Sequence, residues 1–126
     1  MADIIIYNTN DGKTAIKLYA DNGTVWLTQA QIAKLFNKER SGISKHIKNI
    51  FNEGELEEKS NVNFLHIANS DKPVAFYSLD VILAVGFRVR SPRGTQFRQW
   101  ANNTFSVNQT DYLKKYAKEI PSLGLT

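Results

Sequence analysis

Hydrophobic positions along this chain change period several times, and each change marks an element. Ile4 to Tyr7 is an apolar run of β-branched and aromatic residues. Asn10-Asp11-Gly12 is a turn signal, and Lys13 to Tyr19 then alternates polar with apolar. This predicts a β-hairpin. A second turn, Asp21-Asn22-Gly23, leads into a short strand from Thr24 to Leu27, so residues 1–27 read as a small antiparallel sheet with Trp26 in its core. At Thr28 the period becomes helical. Thr28 is a good N-cap, and Gln31 three residues later completes a capping box. Ile32 and Leu35 recur at helical spacing, Phe36 closes the helix, and Ala33 is small where a second helix must cross. Asn37 suits the left-handed conformation that ends a helix. A second helix begins at Arg40 or Ser41 and buries Ile43, Ile47 and Ile50.

Gly54 stops that helix, and residues 54–60 form a polar connection. Asn61 to Ala68 alternates, with Val62, Phe64 and His66 on one side. Asn69-Ser70-Asp71-Lys72-Pro73 is a turn, and Val74 to Tyr77 is an apolar strand. Residues 61–77 thus predict a β-hairpin where a winged helix carries its wing, with Lys72 at the tip. Ser78-Leu79-Asp80 opens a helix that packs Leu79, Ile82, Leu83, Val85 and Gly86 inward and ends near Val89. Pro92 stands in the first turn of another helix, reaching about Phe105 and burying Phe97, Trp100 and Ala101. Thr110 or Asp111 caps a last helix, Tyr112 to Ile120, before Pro121 and Gly124. The expected fold is α+β in one domain, 1–126: a small N-terminal antiparallel sheet (1–27), a helix-turn-helix (28–51), a winged-helix-like β-hairpin (61–77) and C-terminal helices (78–120).

Composition narrows the classes. An apolar fraction of 42% supports a real core and excludes a disordered-type chain. There is no cysteine, hence neither a disulfide framework nor a thiolate metal site. No apolar run approaches membrane-spanning length, and the N-terminus lacks a basic n-region. The expectation is a soluble, cytoplasmic protein with no membrane contact. The net charge of +4 is segregated along the chain. Residues 28–51 are basic, residues 52–72 are acidic through Glu53, Glu55, Glu57, Glu58 and Asp71, and residues 73–109 are basic again through Arg88, Arg90, Arg93 and Arg98. Segregation of this kind fits a phosphate footprint.

The helical pair at 28–51 carries the sharpest functional signal. The outer face of its second helix holds Arg40, Ser41, Ser44, Lys45 and Lys48, short hydroxyls and long cations that reach base edges and phosphates. The spacing from Gln29 through Ile32-Ala33 to Ile43-Ser44 fits a DNA-binding helix-turn-helix, although Lys38 stands where an aliphatic residue is usual. In this reading Arg40, Ser41, Ser44 and Lys45 read bases in the major groove, and Gln29, Lys38 and Lys48 hold the backbone. Arg90 and Arg93, beside the break at Pro92, form an exposed pair for a second backbone contact. For Arg88, Arg90, Arg93 and Arg98 as a group, such a contact weighs evenly against a structural reading in which Arg98 or Arg88 pairs with Glu53 or Asp80. The competing reading is a helical hairpin with a solvated basic face. No catalytic or metal-ligand constellation is visible. His46 reads as partly exposed and structural, His66 as packed, Glu55, Glu57 and Glu58 as a solvated run, and Asp80 as a helix-start carboxylate. Neither enzyme activity nor a cofactor is expected.

Three blocks, TVWLTQAQIAKLF, ISKHIKNIFNEGELEE and FYSLDVILAVGFRVRSPRGTQFRQWA, resemble the RhuM family of bacterial virulence-associated and mobile-element proteins, from about Tyr7 to Ala101. The ending Phe97-Arg98-Gln99-Trp100-Ala101 also resembles the close of the BRO-N domain of phage and viral antirepressors. The resemblance implies a small α+β module that binds double-stranded DNA, hence a phage or mobile-element transcription regulator. Family members usually continue into a long C-terminal region, whereas the residues after Ala101 diverge here. The expectation is an intact shared domain without the activity of that region. A homodimer reading two half-sites, joined through Tyr112, Leu113, Tyr116 and Ile120, is weighed against a tail packed on its own core. The alternative function is a phage-derived inhibitor that docks on a host nucleic-acid-handling or defence protein, through the acidic stretch Glu53 to Glu58 and the divergent tail.

Overall fold

The computed structural model describes residues 3–21, 24–67 and 71–105. The Asp21-Asn22-Gly23 turn, the hairpin tip at 69–70 and the last helix at 112–120 fall wholly or partly outside them. The architecture is α+β, a five-stranded antiparallel sheet with helices. In chain order the elements are β1 (Asp3–Asn8), β2 (Ala15–Asp21), β3 (Thr24–Leu27), α1 (Gln29–Phe36), α2 (Arg40–Asn52), α3 (Glu58–Asn61), β4 (Val62–Leu65), β5 (Val74–Ser78), α4 (Leu79–Val89) and α5 (Pro92–Phe105). The strand order is β1-β2-β3-β5-β4.

The two β-regions read from the sequence form one sheet. β3 pairs β5, with Trp26 opposite Ser78 and Leu27 opposite Tyr77. The predicted wing is therefore the far edge of the sheet rather than a separate ribbon. Strand alternation decides which side chains meet the helices. Tyr7, Ile16, Leu18, Val25 and Leu27 enter the common core with Ile32, Phe36, Ile43, Ile82 and Phe97. Ile4 and Ile6, between the inward residues of β1, remain exposed. Tyr7 meets Phe97 edge-on at 5.2 Å, and Phe36 meets the same ring at 6.4 Å, which ties sheet, α1 and α5 together.

α4 is the central helix. Its Leu79, Val81, Ile82, Leu83, Ala84, Val85, Gly86 and Phe87 are all buried, so it is apolar nearly all round, as a helix enclosed by other elements must be. Its start is fixed by Ser78, whose Oγ accepts from the Val81 N–H at 3.2 Å and donates to Asn61 Oδ1 at 2.7 Å. Asn61 in turn donates to the Glu57 carbonyl at 2.6 Å. Asn61 was expected to begin a strand. It is buried instead and closes α3, a turn of helix inside the expected polar connection. α4 ends with Arg90 in the left-handed region, φ 51°. Ser91 then accepts from the Gly94 N–H at the start of α5.

The helices α4 and α5 cross at two glycines. A Cβ on Gly94 would lie 2.7 Å from the Gly86 carbonyl oxygen, and one on Gly86 would lie 3.2 Å from a Phe36 ring carbon. The backbones can approach this closely only without side chains at the crossing.

On β4 the expectations need correction. Phe64 is 67% exposed, and His66 is exposed rather than packed. Alternation in sequence says which residues share a face, but a face is buried only where another layer covers it. Among the described residues no helix is long and apolar enough to cross a membrane, and no group of three or more His, Asp or Glu could hold a metal ion.

Candidate nucleic-acid interface

α1 and α2 are joined by Asn37–Glu39, and the junction is built as the residues dictate. Thr28 Oγ1 accepts from the Gln31 N–H at 3.2 Å, and Gln31 Oε1 accepts from the Thr28 N–H at 2.9 Å, a complete capping box. Asn37 takes the left-handed conformation at φ 55°, and its N–H returns to the Ala33 and Lys34 carbonyls. Ala33 and Leu35 are buried, so α1 is held on its inner side while the chain reverses.

α2 packs on α1 and α4 through Ile43, Ile47 and Ile50, all fully or nearly buried. Helical geometry then sends the intervening residues outward. Arg40, Ser41, Lys45 and Lys48 are exposed, and Ser44 is half-buried. Lys38, in the turn, is exposed beside them. None of these cations has an ion-pair partner among the described residues. Glu39 precedes α2 in extended conformation and makes no side-chain cap, so among the described residues the first N–H groups of α2 have no side-chain cap. The positive end of the helix dipole thus lies among Lys38, Arg40 and Ser41.

Gly42 escapes the sequence reasoning. It lies in the first turn of α2, where a Cβ would meet nothing within 4 Å. Glycine in a helix costs roughly 0.5–1 kcal/mol relative to alanine, and packing among the described residues does not require it. A lone glycine inside an amphipathic helix pattern is the signal that would have drawn attention to it. Gly42 lines a shallow groove of about 390 Å³ with Lys38, Glu39, Ile43, His46, Arg88 and Val89. A second groove of about 330 Å³ runs past Lys38 between Asn37 and Arg93.

His46 sits half-buried in the wall of the first groove. Burial is the main cause lowering its pKa, with the positive charges of Arg88 and Lys45 adding to it, so its neutral form is favoured. Arg88 Nη2 is 3.0 Å from both Glu53 Oε1 and Glu55 Oε1. Burial works against the Arg88 charge, and the hydrogen bonds and charges of the two glutamates more than offset it. The run Glu55, Glu57 and Glu58 is not uniformly solvated as its sequence suggests: the Glu55 side chain is only 8% exposed because it serves this pair.

The remaining expected site residues divide. Gln29 is half-buried at the start of α1, where its Nε2 donates to the Tyr77 hydroxyl at 3.1 Å. Arg90 is exposed. Arg93 is not its exposed partner: its side chain is 16% exposed. It donates to the Lys34 and Leu35 carbonyls at 3.1 and 3.3 Å and meets Asp11 Oδ2 at 3.2 Å. It therefore caps the C-terminus of α1 and pins the β1–β2 turn, because helix-end carbonyls and a carboxylate converge where α5 begins. Arg98 is buried with its guanidinium 4.6 Å from the centre of the Phe87 ring. The structure thus gathers Lys38, Arg40, Ser41, Ser44, Lys45 and Lys48 onto one surface, while Arg93, across the second groove from Lys38, commits its guanidinium to the end of α1 and Asp11.

Comparison with known proteins gives one family. The model of the virulence protein RhuM family matches residues 57–117. The match runs from α3 through the β4–β5 hairpin, α4 and α5, and does not include α1 or α2. No curated protein and no solved structure matches the chain.

Proposed function

We propose that this chain, which belongs to the virulence protein RhuM family, is a sequence-specific DNA-binding regulator that uses α1 and α2 as a helix-turn-helix with α2 in the major groove. One observation carries the reading. α2 is anchored on its inner side by three buried isoleucines and holds Arg40, Ser41, Lys45 and Lys48 outward, with no ion pair among the described residues to neutralise the cations. Arginine and lysine on a rigid helix reach guanine edges and phosphates, and each good bidentate contact discriminates by about 1–3 kcal/mol. The uncapped start of α2 favours a phosphate close to Gly42 and Lys38. The function is binding, with no catalytic step and no cofactor. The acidic stretch that a protein-docking inhibitor would use is partly consumed, since Glu53 and Glu55 hold Arg88.

Titration of the purified chain against random-sequence duplex at low and at physiological salt tests this. Binding is expected to weaken with salt, with a logarithmic slope of about −0.9 per phosphate contact. Arg40→Ala/Lys45→Ala and Lys45→Glu are expected to lower affinity about tenfold or more. Gly42→Ala is expected to raise the unfolding midpoint while weakening binding. A folded chain that binds no duplex at low salt refutes the proposal.

A further inference from the structure

We propose that Asp11-Gly12, in the β1–β2 turn, is a site of spontaneous isoaspartate formation that the tie to Arg93 holds unreactive in the folded chain. Ring closure at an aspartate is hindered by the side chain of the residue that follows it. Asp11 is the one aspartate of this chain followed by glycine. Gly12 has φ 73°, and nothing lies within 4 Å of the place a Cβ would occupy. The Asp11 side chain is 43% exposed, so water reaches it.

The reaction is a cyclisation followed by a hydrolysis. The Gly12 nitrogen attacks Cγ of the neutral Asp11 carboxyl. A bond from nitrogen to Cγ forms, the bond from Cγ to its hydroxyl breaks, and the hydroxyl leaves as water with the amide proton. Solvent water then opens the succinimide. Addition at Cγ restores aspartate, whereas addition at the main-chain carbonyl leaves the chain running through Cβ. Nothing but water is released and consumed, so the mass is unchanged.

The fold opposes ring closure at each reacting group. Asp11 Oδ1 accepts from the Thr9 hydroxyl at 2.6 Å and from the Lys13 N–H at 2.9 Å. Oδ2 is 3.2 Å from Arg93 Nη2. With both oxygens held, Cγ cannot turn onto the Gly12 nitrogen unless these bonds break. The same partners keep the carboxyl ionised, and a carboxylate resists nucleophilic attack far better than the neutral acid. The Gly12 N–H is committed to the Thr9 carbonyl at 2.9 Å. Thr9 and Lys13 are local to the turn. Arg93 reaches it from α5 while holding the end of α1, so the reactivity of Asp11 depends on whether α5 is docked. Isoaspartate lengthens the turn by one backbone atom and shifts the carboxylate from its place opposite Arg93. The modified chain therefore loses the tie between the turn and α5.

Prolonged incubation of the full chain at neutral pH, then trypsin digestion and fragmentation mass spectrometry, provides the test. Cleavage after Lys13 and Lys17 separates Asp11 from Asn22-Gly23, whose own deamidation would otherwise be read with it. Isoaspartate at Asp11 is expected to stay at a trace in the folded chain and to accumulate in the chain unfolded in urea. It is expected to form several-fold faster in Arg93→Ala than in the native chain, with circular dichroism establishing that the variant is folded. Should Arg93→Ala not fold, Arg93→Lys takes its place, because lysine keeps the charge and loses the guanidinium fork. Asp80, followed by valine, should stay intact throughout. A folded chain that isomerises at Asp11 as fast as the unfolded one overturns the proposal. So does an unfolded chain in which Asp11 stays intact, or a folded Arg93 variant that reacts no faster than the native chain.

Discussion

A guanidinium can be held by carboxylates, by carbonyl oxygens or by an aromatic face, and the arginines between residues 88 and 98 use all three. Arg88 takes Glu53 and Glu55, Arg93 takes the end of α1 and Asp11, and Arg98 lies over Phe87. Sequence shows that four arginines are close together, but not which partners folding brings to them. On α2, by contrast, the burial of Ile43, Ile47 and Ile50 followed from spacing alone, as did the outward position of Lys45 and Lys48. His46 gives a residue-scale prediction. Burial first, then Arg88 and Lys45, lowers its pKa in the folded state below the unfolded value of about 6.5. The unfolded chain then binds the proton more readily. The associated stability is present above about pH 6.5 and is lost as pH falls through the depressed folded pKa. Urea midpoints at neutral and at mildly acidic pH should show a smaller acid loss in His46→Gln than in the native chain.

At the scale of elements, local chemistry set the boundaries. The Thr28–Gln31 capping box, left-handed Asn37 and Pro92 in the first turn of α5 all stand where the residue types place them. Two elements went otherwise. α3 interrupts the expected loop because Asn61 is needed beneath Ser78, a contact between residues far apart in sequence. β4 is open on both faces because the helical layer does not cover that edge, as its exposed Phe64 and His66 show. The glycine crossing of α4 and α5 makes the prediction here. Gly94→Ala puts a methyl group 2.7 Å from the Gly86 carbonyl, with backbone rather than a flexible side chain in its way. The helices must separate, and a loss of about 1–3 kcal/mol is expected from overpacking, readable as a lowered midpoint in chemical denaturation. At Gly42, with open space around it, the same change should do the opposite.

The whole molecule depends on ties that cross it. Arg93 links α5, the end of α1 and the β1–β2 turn, segments separated by as many as 82 positions. The Thr9 hydroxyl first, then the Lys13 N–H and Arg93, hold the Asp11 carboxyl well below the usual carboxylate range. Arg93→Ala removes four hydrogen bonds at once. It is expected to cost about 1–3 kcal/mol, measured by denaturation, while leaving the salt slope of duplex binding unchanged because the side chain is turned inward.

The sequence by itself determined the α+β class, the helical and strand segments of the described residues other than α3, the buried stripe of α2 and the cations opposite it, because periodicity and capping are local. Tertiary structure alone decided that the two β-regions share one sheet, that Arg93 belongs to the scaffold and that Phe64 stands uncovered. Each of those depends on which distant segments become neighbours and on where a covering layer ends, and neither is written in the spacing of residues along a single segment.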